Sequence, residues 1–179
     1  MRLLIGLGFL ALPFAVYLYA ERLDLSVWVV LLGGLALARL SLLRDLDTRW
    51  LLAAAFGICG FCALSWWRGD LSVFKFYPVI VSTIGAAFFA YTLLNPPSAI
   101  ERLMAMMGEA ITAPAARYMR GVTGVWLIFF VVNASVAAWT ALAASTAVWA
   151  WYNGFFSYVA MATLFGVEYL VRIWYRARV

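Results

Sequence analysis

Long apolar runs recur along this chain, most of them closed by a charged or proline-bearing segment. Six are legible, at 3–19, 26–43, 50–66, 76–94, 122–142 and 151–174. About 20 apolar residues at 1.5 Å rise per residue are what a helix needs to cross a bilayer core. The early turns read "ERLD", "RDLDTR", "WRGD" and "NPP". The runs are too long for membrane strands and lack period-two alternation. The expected fold class is therefore all-α: a polytopic transmembrane bundle of six membrane helices in a single integral membrane domain over 1–179.

Composition closes off the alternatives. Hydrophobic residues make up 67% of the chain and charged residues 12%, too little polar surface for a soluble domain. No interval between the runs is long enough for an independent soluble core. The net charge of +5 does not point to nucleic acid. The bases sit at the ends of apolar runs, where they anchor and orient helices, and they form no stripe interleaved with exposed aromatics. The first run resembles a secretory leader, but its one plausible cut, after Ala20, has Leu18 where a small residue is needed. It also holds Pro13, so it is expected to stay as a membrane helix.

Arginine and lysine set the expected orientation. An even number of crossings puts both termini on one side. That side collects Arg2, Arg39, Arg44, Arg49, Arg102, Arg117, Arg120, Arg172, Arg176 and Arg178, against Arg22, Arg68 and Lys75 on the other. Ten against three predicts cytoplasmic N- and C-termini. Trp28, Trp50, Trp66, Trp67, Trp149, Trp151 and Trp174 fall near expected helix ends, as headgroup-layer rings do.

The longest connection, 95–121, has structure of its own. Ser98 and Glu101 have capping-box spacing, and Gly108 is a natural stop. Ile100, Leu103, Met104 and Met107 follow i, i+3, i+4, i+7. A short amphipathic interfacial helix is expected at about 99–107, on the cytoplasmic membrane face. Arg102, Arg117 and Arg120 mark that interface, the last two as topology anchors or as ligands for anionic headgroups. Rows of small residues mark expected helix seams or self-association faces: Ala53 and Gly57; Ser82, Ala86 and Ala90; Asn133, Ala137 and Ala141; Ala162 and Gly166.

Few residues offer chemistry. Cys59 and Cys62 in "CGFC" sit inside an apolar run, which leaves thiols inert, and the chain has no histidine. No metal site, cofactor or catalytic residue is expected. Asn133 needs a partner in hydrocarbon and should face the bundle, as a structural bond or as part of a polar cavity. Glu168 and Arg172 are spaced for an i, i+4 ion pair, though an intramembrane acid is also a functional candidate. Lys75, the sole lysine, either reaches the outer headgroups or points into a cavity and binds an anion. Lys75, Asn133, Asn153 and Glu168 are thus the candidate polar-cavity or lipid-binding set.

The order of these features resembles the bacterial intracellular septation protein A (YciB) family, and more closely a related uncharacterised group of inner-membrane proteins. The resemblance is carried by Pro13 in a short first helix, Lys75 in "FKFYPVIVS", and Pro97 and Arg102 in "NPPSAIERLM". It continues through Trp126, Phe129, Phe130 and Asn133 in "VWLIFFVVNA", and Trp151, Asn153 and Phe155 in "WYNGFFSYV". It implies a multi-pass protein of the bacterial inner (cytoplasmic) membrane linked to envelope integrity and division, with no enzymatic activity. The side group also looks like a companion of lipid or aryl-polyene assembly. The expected function is a non-enzymatic scaffold or accessory protein of envelope biogenesis. Its partners would be membrane lipids and other envelope membrane proteins or itself. The alternative is a transporter or flippase-like handler of a lipid or polyene intermediate.

Overall fold

The structure, a computed structural model, describes residues 2–19, 22–41, 48–69, 71–108 and 111–176. Among these, the side chains of 2–10, 36, 37, 39–41, 48–55, 58, 71, 175 and 176 fall outside the description. The side chains of Arg2, Arg39, Arg44, Arg49, Arg176, Arg178, Trp50 and Ala53, used above for orientation and seams, therefore lie outside it.

All regular structure among the described residues is helical. In chain order it comprises α1 (Arg2–Tyr19), α2 (Leu25–Ser41), α3 (Thr48–Arg68), α4 (Leu71–Phe74), α5 (Tyr77–Leu94), α6 (Ala99–Met106), α7 (Ala113–Ala143), α8 (Thr146–Trp151), a π-helical turn (Tyr152–Phe156) and α9 (Ser157–Arg176). The punctuation follows local chemistry. Gly69 takes φ +63° just past α3, and Gly108 takes φ +80° just past α6, a left-handed conformation that glycine adopts freely. Ser145 caps α8, its hydroxyl accepting from the Val148 N–H at 3.3 Å. Pro114 is the second residue of α7 and Pro78 the second of α5, places where a missing N–H breaks no helical bond.

Three helical stretches among the described residues are long and apolar enough to cross a membrane: Ser72–Leu94, Ala113–Ala143 and Thr146–Trp174. The expectation of six crossings is corrected to these three. In α2 the described apolar stretch is only Leu25–Leu35, roughly 16 Å of helix against a core of about 30 Å. In α1 and α3 too few side chains are described to supply a span. Two boundaries also move. The expected 122–142 helix begins at Ala113, and the expected 151–174 helix begins at Thr146, because Pro114 and Ser145 start helices rather than loops.

The backbone forms two compact units, Met1–Pro78 with Ala137–Val179, and Val79–Val136. In the first, α2 packs on α1 and α3, and α1 packs on α8 and the π turn. Leu12, Pro13, Val16, Trp28, Leu32, Phe74, Tyr77, Trp149 and Ala150 are its buried centre. Gly154 is required there: a Cβ at that position would stand 2.6 Å from Phe14 Cε2.

In the second unit α5 and α7 run antiparallel, as their rungs show. Ser82 meets Asn133, Gly85 meets Phe130, and Phe89 meets Trp126. Each step back along α7 matches a step forward along α5. A Cβ on Gly85 would stand 2.9 Å from the Phe130 ring, so glycine sets how closely the two helices approach. Below it, Phe89, Trp126, Phe129 and Phe130 form a ring cluster with centroids 5.5–6.2 Å apart. α6 closes this unit through buried Ile100 and Met104, and the Ile100 N–H donates to Thr123 Oγ1 at 3.4 Å.

Candidate functional site

In the first unit a run of polar contacts surrounds the joint between α4 and α5. Lys75 sits in the two-residue turn that separates these helices. The α7–α8 hairpin, which turns over Ala144 and Ser145, brings Thr146 to it. The Lys75 ammonium donates to Thr146 Oγ1 at 2.8 Å. One turn along α8, fully buried Trp149 donates from Nε1 to the Lys75 carbonyl at 3.0 Å. That carbonyl belongs to a helix break, where backbone acceptors need such a partner. Tyr77 stacks edge-on against Trp149 with centroids 6.1 Å apart, and Phe74 lies 5.6 Å from Tyr77. Lys75 is thus half-buried, with its ammonium bonded to a neutral hydroxyl.

Asn153 continues the run. It is buried in the π turn, and its Nδ2 donates to Trp149 O at 2.9 Å and to Thr140 Oγ1 at 3.2 Å. Thr140 passes its own proton to Ala137 O at 2.8 Å, and Ser157 Oγ donates to Asn153 O at 3.2 Å. Asn153 Oδ1 is buried and accepts no hydrogen bond among the described residues. The π turn is the local reason Asn153 faces inward: its extra residue rotates the chain between α8 and α9, as single π turns do.

The four candidate residues do not form one described cluster. Lys75 and Asn153 are joined through Trp149. Glu168 instead pairs with Arg172 as its spacing predicts: Arg172 Nη2 lies 2.9 Å from Oε1 and 3.0 Å from Oε2, a fork that engages both carboxylate oxygens. Asn133 belongs to the second unit and donates from Nδ2 to Ser82 Oγ at 2.9 Å. Both ends of that bond are buried.

The interfacial arginines also divide. Arg102 is tied to its own turn, donating from Nε to Pro97 O at 2.7 Å and from Nη2 to Asn95 O at 3.0 Å. Arg117 and Arg120 are exposed. The apolar face expected for α6 is corrected in width. Ile100 and Met104 are buried, the Ile100 N–H reaching Thr123 of α7, while Leu103, Met106 and Met107 are exposed. Ser98 is the N-cap of α6, and the Glu101 carboxylate accepts from its backbone N–H, so the Glu101 half of the expected capping box is made, while Ser98 Oγ is buried without a hydrogen-bond partner among the described residues.

Three expectations for the rings, thiols and seams can be placed. Trp149 and Trp28 are buried, unlike the exposed Trp66, Trp67, Trp151 and Trp174, so the first two are core rings rather than headgroup-layer anchors. Cys59 is exposed and Cys62 makes only a weak contact, its thiol 3.9 Å from Val29 O. Among the described residues no group of three His, Cys, Asp or Glu could hold a metal ion. Gly166 has open space around it, so among the described residues nothing packs closely on it. The close approaches fall at Gly85 and Gly154 instead. Sequence reasoning missed Thr146, Thr140 and Ser82 as partners. The one available signal was that polar residues inside apolar helices must pair.

Fold and site together define an all-helical protein with three helices long and apolar enough to be membrane spans. No protein-family model, curated protein or solved structure matches the chain. The septation-protein resemblance rests on its quoted motifs alone.

Proposed function

We propose that this chain is a multi-pass protein of the bacterial cytoplasmic membrane and a non-enzymatic scaffold or accessory subunit of envelope biogenesis. One observation carries the proposal. Each polar candidate in the apolar helices is bonded to its own chain: Lys75 to Thr146, Asn133 to Ser82, Asn153 to Thr140 and Trp149 O, and Glu168 to Arg172. The Lys75, Asn133 and Asn153 bonds tie one helical segment to another, and the Glu168–Arg172 pair balances charge within α9. Meanwhile wide apolar faces stay uncovered: from Val159 to Trp174 no described residue of α9 is buried. Such faces suit lipid and partner helices.

The three candidate spans cross in alternate directions in this proposal. The 95–112 connection, Arg117, Arg120 and the C-terminal end then lie on the basic, cytoplasmic side. Lys75 and the Ala144–Ser145 turn lie on the outer side. A cytoplasmic N-terminus requires an odd number of crossings before α4. The test is photo-crosslinking at native expression from α9 positions such as Val167 and Leu170. A discrete membrane-protein adduct is expected. A chain that crosslinks only to lipid overturns the scaffold role.

A second function, handling of a lipid or polyene intermediate, draws on one feature: the buried Asn153 Oδ1 within the π turn, which accepts no hydrogen bond among the described residues. A flipping assay in which Asn153→Leu leaves lipid movement unchanged removes it.

A further inference from the structure

We infer that α6 and the first turns of α7 form a docking surface for anionic phospholipid, with Leu103, Met106 and Met107 entering the acyl boundary and Arg117 and Arg120 holding phosphate. The inference rests on the membrane placement proposed above and adds a ligand class and a site.

Four observations lead to it. First, α6 has a fixed orientation. Buried Ile100 and Met104, the bond from the Ile100 N–H to Thr123 and the Arg102 contacts to Pro97 and Asn95 hold it against its own unit. Second, that orientation leaves Leu103, Met106 and Met107 exposed at 47%, 62% and 67%. They lie at i, i+3 and i+4, one continuous apolar strip on a helix. Third, the helix sits between two candidate spans, Ser72–Leu94 and Ala113–Ala143. Only residues 95–98 separate it from α5, a reach of roughly 14 Å at full extension. A strip so tethered stays at the level of the headgroups. Fourth, Arg117 and Arg120 are exposed, three residues apart on α7. Among the described residues the ion pair is Glu168–Arg172, so neither arginine is neutralised there. An exposed apolar strip followed in the next helix by two exposed guanidinium groups matches the two layers of an anionic leaflet: acyl chain below, phosphate above. A water-facing protein partner would match the charge but not the tether.

The test uses the full chain with Cys59 and Cys62 changed to alanine and an environment-sensitive fluorophore on Met106→Cys. It is reconstituted in nanodiscs of phosphatidylglycerol or phosphatidylcholine. Quenching by acyl-brominated lipid should be at least about twofold stronger in phosphatidylglycerol, and the Arg117→Gln/Arg120→Gln pair should remove the difference. The same label on Leu103→Cys should repeat the pattern. Equal quenching in the two lipids, or ready quenching by aqueous iodide in both, overturns the proposal. So does a label shielded only after membrane-extract proteins are added. Because the chain must already be embedded for the measurement, such failures leave membrane insertion itself standing.

Discussion

Adding a single methyl at Gly154 tests the packing of α1 on the π turn. In Gly154→Ala the new Cβ would lie 2.6 Å from Phe14 Cε2 and 2.9 Å from Cδ2. Carbon atoms rest at about 3.5–4.0 Å, so ring or helix must yield by about 1 Å. The ring has little freedom to do so, because Trp151 stands edge-on to it at 5.3 Å. Overpacking of this kind costs about 1–3 kcal/mol. Alanine returns at most about 1 kcal/mol over glycine in a helix. The expected net loss is therefore about 0–3 kcal/mol. The sign changes once the ring is gone. In a Phe14→Ala background, Gly154→Ala should be neutral or stabilising by up to about 1 kcal/mol, giving a coupling of about 1–3 kcal/mol. The assay is reversible unfolding in mixed micelles with rising sodium dodecyl sulfate, followed by tryptophan fluorescence for all four proteins of the cycle. Zero coupling, with Gly154→Ala equally tolerated in both backgrounds, refutes the close approach of Phe14.

Other substitutions probe the remaining contacts. Asn133→Ala should cost about 0.6–2 kcal/mol in the same assay, and Ser82→Ala added to it should cost little more, because the two share one buried bond. Trp149→Phe keeps most of the ring but leaves the Lys75 carbonyl unpaired, for a loss of about 1–3 kcal/mol; an unchanged midpoint removes the proposed tie between α8 and the α4–α5 joint. Gly85→Leu should destabilise more than Gly34→Leu, since a Cβ meets Phe130 at the first and open space at the second; equal effects would contradict the α5–α7 packing.

How much of this was legible in the sequence varied with the physics of each feature. Helices α5, α7 and α9 could be read because apolar length alone reports a candidate crossing. The stop at Gly108 and the start at Ser98 could be read because backbone conformation and capping depend on one or two local residues. The Glu168–Arg172 pair could be read because four residues fix its geometry. What could not be read was rotation. A water-soluble helix betrays its inward face by polarity, but α5 is apolar on every side, so nothing in its pattern says that Gly85 rather than Ala86 faces α7. The α6 face was read too wide for a related reason: Ile100 and Met104 share its apolar stripe with Leu103 and Met107, and only packing within the unit decides which of them are covered. Lys75 and Thr146 are 71 positions apart, and no local rule joins a lysine to a threonine across that distance. The buried Trp149 looked like a headgroup anchor because helix-end tryptophans in membrane chains usually are.

The account turns on membrane crossing with the Lys75 corner outside and the arginine-bearing connection inside. Single cysteines at Ala143→Cys and Thr112→Cys, both exposed positions, in a chain free of Cys59 and Cys62, can be probed with a membrane-impermeant maleimide in spheroplasts and in inverted vesicles. The account predicts labelling of Ala143→Cys in spheroplasts only and of Thr112→Cys in inverted vesicles only. Labelling of both from the same side, or the reverse pattern, would contradict it.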